Sequence, residues 1–321
     1  MKLKPMTNNF AVVTGANTAY FPCAQGLVGS IRDKDEGKEA SICFLDFGCK
    51  DEELEWLAKR GISIAKADWD FDFPGREVMP EYFKAMTARP HLPEYFTDYD
   101  ILIWMDADTW LQDWSGLDLY VRGAARKGFA VTPEVHASYA GCLDRSNALR
   151  RFIYDKYETA FGSAVAEQFQ GSAVLNTGVC GMHRESELRQ AWIKTLSTGL
   201  KNAQHYMVEL LSMNLALYQN FERFFPSHID LLPPFCNWMC HRSLPILDEE
   251  TGLFRSPTPP HEVISIIHRT SDVLKRRGEV EIRTLAGGVV KSTLEYADGA
   301  YSDRKPMIDT WQENSGWAVN G

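Results

Sequence analysis

In the stretch Ile101-Leu102-Ile103-Trp104-Met105-Asp106-Ala107-Asp108-Thr109-Trp110, five apolar residues run straight into two carboxylates one residue apart. An unbroken apolar run of this length fits a strand covered on both faces, as strands of a parallel sheet are. Side chains at i and i+2 of an extended segment point the same way, so Asp106 and Asp108 can converge on one cation. Ligands of open α/β sheets bind beyond the carboxyl ends of the strands, where this pair falls.

Upstream, Phe10 to Thr14 is an apolar run ending in Gly15-Ala16-Asn17, followed by helical spacing through Tyr20, Leu27, Val28 and Ile31. Ser41 to Leu45 reads as a second strand. Asp51 to Lys59 reads as a helix with an acidic first turn and Leu54 and Leu57 on one face. Ile62 to Ala65 reads as a third strand, Asp68 to Gly75 as an aromatic and acidic surface loop, and Pro80 to Ala88 as a helix. This alternation predicts an α/β fold with a doubly wound, mostly parallel sheet. Downstream, Phe129 to Thr132 is expected as a strand and Ser146 to Phe161 as a helix. Ser172 to Met182 is strand-like but interrupted by Asn176-Thr177-Gly178. Glu185 to Thr198 and His205 to Tyr218 carry helical periodicity. Leu231 to Pro260, rich in proline and aromatics, reads as long loops, and Val263 to Ile267 as a last strand ending on His268. With no repeat or linker visible, residues 1–278 are expected as one domain and 279–321, weakly patterned, as an extension of it.

The totals narrow the function. The 321 residues are 45% hydrophobic and 24% charged, an ordinary globular composition with ample length for a large core. A net charge of -9 speaks against a broad basic surface for nucleic acid, whereas a divalent cation lets an acidic protein bind a phosphorylated ligand. Seven scattered cysteines, at 23, 43, 49, 142, 180, 236 and 240, suggest reduced thiols and a cytoplasmic setting. Cys236, Cys240 and His241 cluster, but no second Cys/His pair lies at zinc spacing. No stretch reaches membrane-spanning length, so a soluble chain is expected, with peripheral membrane association left open.

Asp-x-Asp occurs five times, at 33/35, 68/70, 70/72, 98/100 and 106/108, and only the last pair directly follows an apolar strand. The bland reading of such a pair is a strand-end turn whose carboxylates accept backbone N–H groups. A third ligand is available in His268, which also ends an apolar strand. Two carboxylates and one imidazole suit Mn²⁺ or Mg²⁺, the imidazole tilting the choice toward Mn²⁺.

Several segments, in order, resemble the retaining family-8 glycosyltransferases, the glycogenin and bacterial galactosyltransferase group with the GT-A fold. Thr87-Ala88-Arg89, Leu92 to Phe96 and Asp100 to Asp108 match that family's Arg-to-DxD block at the same spacing. Leu175-Asn176-Thr177-Gly178-Val179 is similar to its Asn-Ala-Gly-Val motif, and Glu209 to Asn214 to its Asp-Gln-x-x-Leu-Asn helix. The resemblance spans roughly residues 10 to 275. It implies a nucleotide-sugar donor, UDP-linked, and a glycan or other hydroxyl acceptor. Asp106, Asp108 and His268 would hold Mn²⁺ or Mg²⁺ against the diphosphate. Arg89 would contact the donor through charge-assisted hydrogen bonds. Gly15 and Asn17 would lie near the base, with Tyr20 stacked on it. Asn176 would hydrogen-bond the donor sugar, Gly178 would permit close backbone approach, and Ala107 and Thr177 would join the donor-contacting set. Glu209 would lie at the sugar's reacting face, as nucleophile or electrostatic support.

Two departures bear on mechanism. Leu210 stands where the family often has Gln and cannot attack or hydrogen-bond. The family's phosphate-reaching Lys is one position late, as Lys275, with Arg269 as a substitute. An inverting GT-A transferase is the nearest rival, with Glu134 or Asp230 as its base. A metal-dependent nucleotidyltransferase or phosphohydrolase, or an inactive sugar-nucleotide-binding protein, are the other readings. Phe235, Trp238 and His241 are candidates to line an acceptor groove.

Overall fold

The structure is a computed structural model and describes residues 9–139, 147–270 and 278–296. The first half runs β1 (Phe10–Ala16), α1 (Phe21–Arg32), β2 (Ser41–Asp46), α2 (Asp51–Ala58), β3 (Ser63–Lys66), α3 (Lys84–Ala88), α4 (Leu92–Tyr95), β4 (Ile101–Met105) and β5 (Thr109–Leu111). It continues with α5 (Trp114–Lys127), β6 (Phe129–Pro133), α6 (Ala148–Phe161), α7 (Ser163–Phe169), β7 (Leu175–His183), α8 (Glu187–Asn202) and α9 (Val208–Gln219). The remainder is α10 (Phe221–Phe224), β8 (Asp230–Leu231), β9 (Trp238–Met239), β10 (Ile246–Asp248), β11 (Leu253–Arg255), β12 (Ile266–His268), β13 (Val280–Arg283) and β14 (Val289–Ser292).

Among the described residues the main sheet has seven strands in the order β3-β2-β1-β4-β7-β6-β8. Strand β4 shows why its apolar run is continuous. Leu102 and Trp104 enter one core and Ile101, Ile103 and Met105 the other, so both faces of the strand are covered. One core packs the sheet on α8 and α9, through Leu188, Trp192, Leu196 and Met213. The other packs it on α1 and α5, through Leu27, Ile31, Leu117 and Ala124. Each fully buried aliphatic side chain contributes about 1.5–3 kcal/mol to holding these three layers together. Helix α5 carries its start and stop signals in the sequence. Asp113 accepts from Ser115 N at 3.0 Å, and Gly128 closes the helix at φ 85°.

Strands β1, β2, β3 and β4 are parallel, and the order reverses between β1 and β4. Strand β7 is antiparallel to both neighbours, pairing Met105 with Val179. This orientation brings its first residues, Asn176 to Gly178, against the carboxyl end of β4; a parallel strand would carry them to the opposite edge. The expected interruption at Asn176-Thr177-Gly178 is instead a register shift inside one nine-residue strand, where β6 steps from pairing Cys180 to pairing Asn176.

A three-stranded sheet, β5-β12-β9, stands beside this edge. The proline-rich stretch expected as loops contains β8 to β11, with β10 and β11 forming a hairpin. The aromatic loop at 68–75 turns inward, burying Phe71 and Phe73. Pro80 to Ala88 is a 3₁₀ turn followed by the five-residue α3. The weakly patterned segment after Gly278 forms the β13–β14 hairpin, and Ile282 and Leu294 join a third apolar cluster with Trp110 and Trp238. Among the described residues no helix is long and apolar enough to cross a membrane.

Candidate metal and nucleotide-sugar site

The turn after β4 is closed on its own backbone. Thr109 N and Thr109 Oγ1 both donate to the Asp106 carbonyl, at 2.9 and 2.7 Å, and Asp106 N donates to Gly178 O at 2.7 Å. The chain thereby leaves the main sheet and enters β5, where Thr109 is paired with His268 of antiparallel β12. Arg269 N donates to the Asp108 carbonyl at 3.0 Å. This register brings His268 onto two carboxylates some 160 positions away: its Nε2 is 3.3 Å from Asp108 Oδ1 and 3.8 Å from Asp106 Oδ2. Among the described residues, Asp106, Asp108 and His268 are the group of His, Cys, Asp or Glu able to hold a metal ion, with one ligand atom from each all within 4.8 Å of one another. Three of the other Asp-x-Asp pairs have a member engaged elsewhere, Asp35 with Lys38, Asp72 with Arg76 and Asp70 with the Tyr95 hydroxyl. Cys236, Cys240 and His241 form no second group among the described residues.

Gly178 lies at the centre of this geometry. A Cβ there would stand 2.5 Å from His268 Cε1, 2.7 Å from Asp106 Oδ2 and 2.8 Å from Asn176 Oδ1. The missing side chain keeps clear the space between His268, Asp106 and Asn176.

Arg89 sits beneath, 6% exposed. Its Nη2 donates to Asp106 Oδ1 and its Nη1 to Glu209 Oε2, each at 2.5 Å, and the guanidinium lies 5.3 Å from the centre of the Trp104 ring. Trp104 Nε1 also donates to Asp106 Oδ1, at 2.7 Å. One oxygen of Asp106 is therefore tied down while the other faces His268. Burial opposes the charge on Arg89, but Asp106 and Glu209 outweigh it and hold the guanidinium above its ordinary pKa. Glu209 is fully buried on α9, with Thr177 Oγ1 donating to its Oε2 at 3.1 Å. Burial pushes the Glu209 carboxyl up to about 7, against the lowering effect of Arg89. Asn214 fastens α9 to β7: its Oδ1 accepts from Leu175 N at 2.7 Å and its Nδ2 donates to Leu175 O at 2.9 Å.

Of the residues expected at the base, Gly15 lies in β1 just before its carboxyl end and Asn17 and Tyr20 follow it, adjacent to the carboxyl end of β4. Asn17 Oδ1 accepts from Tyr20 N at 3.2 Å, closing the turn that leads into α1. Gly15 has a packing reason of its own, since a Cβ would lie 2.5 Å from Phe47 Cε2 and 2.7 Å from the Leu45 carbonyl oxygen. Ala107 is buried between the two aspartates. Asn176 and Thr177 are buried as well, the polar ends of Asn176 bonded to Gly178 N, Asn237 and Glu134.

Two expectations are corrected. Arg269, named as a phosphate contact, is buried and paired with Glu295 at 2.8 Å. Trp238 lines no groove: it is fully buried, packed against Tyr139 and His136, and donates to Ser243 O. Glu134 and Asp230, poor candidates for a base from the sequence, are each paired. Glu134 is held by Asn176 and Arg242, and Asp230 by Arg126 and Lys127 at the far end of β6. Lys275 and Cys142 lie outside the described residues. Sequence reading missed Trp104 as a hydrogen-bond donor and missed Asn237, which sits between the more conspicuous Cys236 and Trp238.

No protein-family model matches the chain, and no curated protein does. Solved structures do. The galactosyltransferase LgtC, in complex with donor and acceptor sugar analogues, is similar over 82% of this chain and 87% of its own, at 16% identity and a TM-score of 0.50. The bifunctional glycosyltransferase WbbM, in its apo form, is similar over 84% of this chain at 15% identity and a TM-score of 0.51. This chain spans 47% of WbbM's length. What the chain has in common with these glycosyltransferases is the GT-A fold: a mostly parallel central sheet flanked by helices.

Proposed function

We propose that this chain is a metal-dependent glycosyltransferase that moves a hexose from a UDP-sugar onto a hydroxyl of a glycan or other acceptor, with retention of configuration. The observation that carries this reading is the convergence of Asp106, Asp108 and His268 at the carboxyl end of β4, where the strand order reverses. The fold shared with LgtC, solved with donor and acceptor sugar analogues, supports the substrate class.

The residues fit a divalent cation. Two carboxylates and an imidazole make a donor set suited to Mn²⁺ or Mg²⁺, the imidazole favouring Mn²⁺, and glycine at 178 leaves room beside His268 and Asp106. A cation held there supplies charge neutralisation for the departing diphosphate. The chain's own residues do the rest. Arg89 orients Asp106 from below and so acts on the donor through that carboxylate. Glu209 is walled off from any sugar carbon, which favours electrostatic support through Arg89 and Thr177 over nucleophilic attack, and Leu210 offers no alternative nucleophile. Gly15, Asn17 and Tyr20 form the base end of the donor cleft. Lys275 keeps its proposed phosphate contact from the family resemblance alone. The commitments of Glu134 and Asp230 to other partners favour retention over inversion. Residues 279–321 extend the same domain, a reading supported by the packing of Ile282 and Leu294 against Trp110 and Trp238. The six described cysteines are free, in keeping with a reducing, cytoplasmic setting.

The test is a panel of UDP-sugars assayed for UDP release with Mn²⁺, with EDTA and in Asp108→Ala, the product anomer read by NMR. Metal-dependent release that Asp108→Ala abolishes, with a retained anomer, is expected. EDTA-insensitive turnover, or full activity in Asp108→Ala, overturns the proposal.

A further inference from the structure

A chain of hydrogen bonds runs from Arg242 and Glu134, just past the carboxyl end of β6, to the ring of His268, and the polarity of its links can be read from groups that have no choice. Gly178 N is a backbone donor, so the Asn176 atom it meets at 2.9 Å is the oxygen, Oδ1. At the other end, Arg242 only donates. Its Nε and Nη2 meet Glu134 Oε2 at 3.0 and 2.6 Å, and the other oxygen of Glu134 accepts from Asn176 Nδ2 at 2.8 Å. Both ends therefore fix the same orientation of the Asn176 amide. The Asn237 group that meets Asn176 Oδ1 at 3.1 Å must then be the donor Nδ2, and its Oδ1 is left 2.8 Å from His268 Nδ1. An amide oxygen only accepts, so Nδ1 carries the proton. The lone pair of a neutral ring is then on Nε2, the nitrogen that faces Asp106 and Asp108.

We infer that Asn237 is a positioning residue: it holds His268 as the Nδ1–H tautomer and so presents Nε2 to a divalent cation shared with Asp106 and Asp108. Asn237 and His268 are both buried, so no solvent substitutes for the bond. The small sheet supplies the geometry, because β9 and β12 are parallel and pair Met239 with His268, bringing Asn237 alongside the ring. Outer hydrogen bonds of this kind set the tautomer and orientation of ligating histidines, and their loss weakens metal binding about ten- to a hundred-fold. The inference rests on the metal reading above for its consequence, but the tautomer itself can be observed without metal.

The experiment uses the full chain with ¹⁵N-labelled histidine, in three forms: wild type, Asn237→Leu and Asn237→Asp. In metal-free protein, long-range ¹H–¹⁵N correlation identifies the protonated ring nitrogen of His268. Mn²⁺ alone is then titrated by EPR, with the ¹⁴N coupling of a bound imidazole as the signature. Wild type is expected to show Nδ1–H. Asn237→Leu should show a tautomer mixture and bind Mn²⁺ about ten- to a hundred-fold more weakly with reduced ¹⁴N coupling. Asn237→Asp keeps an acceptor for Nδ1–H but loses the donor to Asn176 Oδ1, so it should retain the Nδ1–H tautomer even where Mn²⁺ affinity falls, which a purely structural role for residue 237 does not predict. An Nε2–H ring in wild type, an unchanged tautomer and affinity in Asn237→Leu, or an Asn237→Asp variant with the same tautomer mixture as Asn237→Leu, overturns the inference while leaving the metal reading intact. Equal Mn²⁺ binding by wild type and Asp108→Ala overturns the metal reading, and the consequence drawn for Asn237 with it.

Discussion

Replacing Gly178 by Ala adds one carbon at the point where His268, Asp106 and Asn176 meet. The backbone at 178 is outside the left-handed region, so alanine is not strained by conformation and the substitution isolates the steric effect. The new Cβ would lie 2.5, 2.7 and 2.8 Å from its three neighbours, against ordinary contact from 3.4 Å, so the nearest group must retreat by about 0.9 Å. None of the three is a loose end: His268 is held by Asn237, Asp106 by Arg89 and Trp104, and Asn176 by Glu134. Overpacking of this kind costs about 1–3 kcal/mol of stability. The displaced ligands should also bind Mn²⁺ at least about ten-fold more weakly; a hundred-fold loss would remove about 2.7 kcal/mol of metal-linked stabilisation at saturation. Thermal unfolding in EDTA reads the first effect and a Mn²⁺ titration of the unfolding temperature reads the second. Gly171→Ala, where an added Cβ meets nothing within 4 Å, is the control. A Gly178→Ala protein whose two curves superimpose on wild type refutes the idea that these three side chains enclose a site that only glycine keeps open.

Arg89→Met leaves the carboxylates of Asp106 and Glu209 without their shared cation, and urea denaturation should register a loss of about 3–5 kcal/mol; a loss under about 1 kcal/mol contradicts a buried pairing. Glu209 should make stability depend on pH. Its folded pKa, raised to about 7 from 4.5, means the native state keeps a proton that the unfolded chain releases. That contribution is fully present below pH 4.5 and is lost as the pH rises through 7, with a slope on the order of 1 kcal/mol per pH unit. Glu209→Gln removes the slope, so the stability of wild type relative to the variant should decline between pH 5 and 8, and a flat difference contradicts the assignment. Gly15→Ala pushes a carbon into Phe47 and the Leu45 carbonyl and should lower stability by about 1–3 kcal/mol in thermal unfolding, whereas a neutral result would leave donor proximity as the reason for glycine there.

Much of the fold and part of the site were legible in the sequence because they depend on neighbours along the chain. The apolar run 101–105 reports its two-faced burial directly, since successive side chains of a strand enter opposite cores, and the carboxylates that follow share a face by the same period of two. What the chain alone left open depends on partners far apart in sequence. Asp-x-Asp occurs five times; the apolar strand before it marks out 106/108 and His268 is readable as a candidate, but it is the pairing of Thr109 with His268 in a separate small sheet that brings that ring to that pair. The antiparallel course of β7, which carries Asn176 to Gly178 to the site edge, has no signature in a run of apolar residues, because hydrophobicity does not encode strand direction. Arg89 reads from the resemblance as a direct donor contact, and only the packed molecule shows Asp106 and Glu209, 17 and 120 positions away, closing on it from two sides. Asn237 gives no sign at all in the sequence: an asparagine acquires a definite polarity only when the donors and acceptors around it are in place, and here those come from Gly178, Asn176 and His268. Local periodicity thus determined the layers and the first two ligands, while strand register and buried hydrogen-bond polarity, which are properties of the packed molecule, selected the third ligand and the way its ring is held.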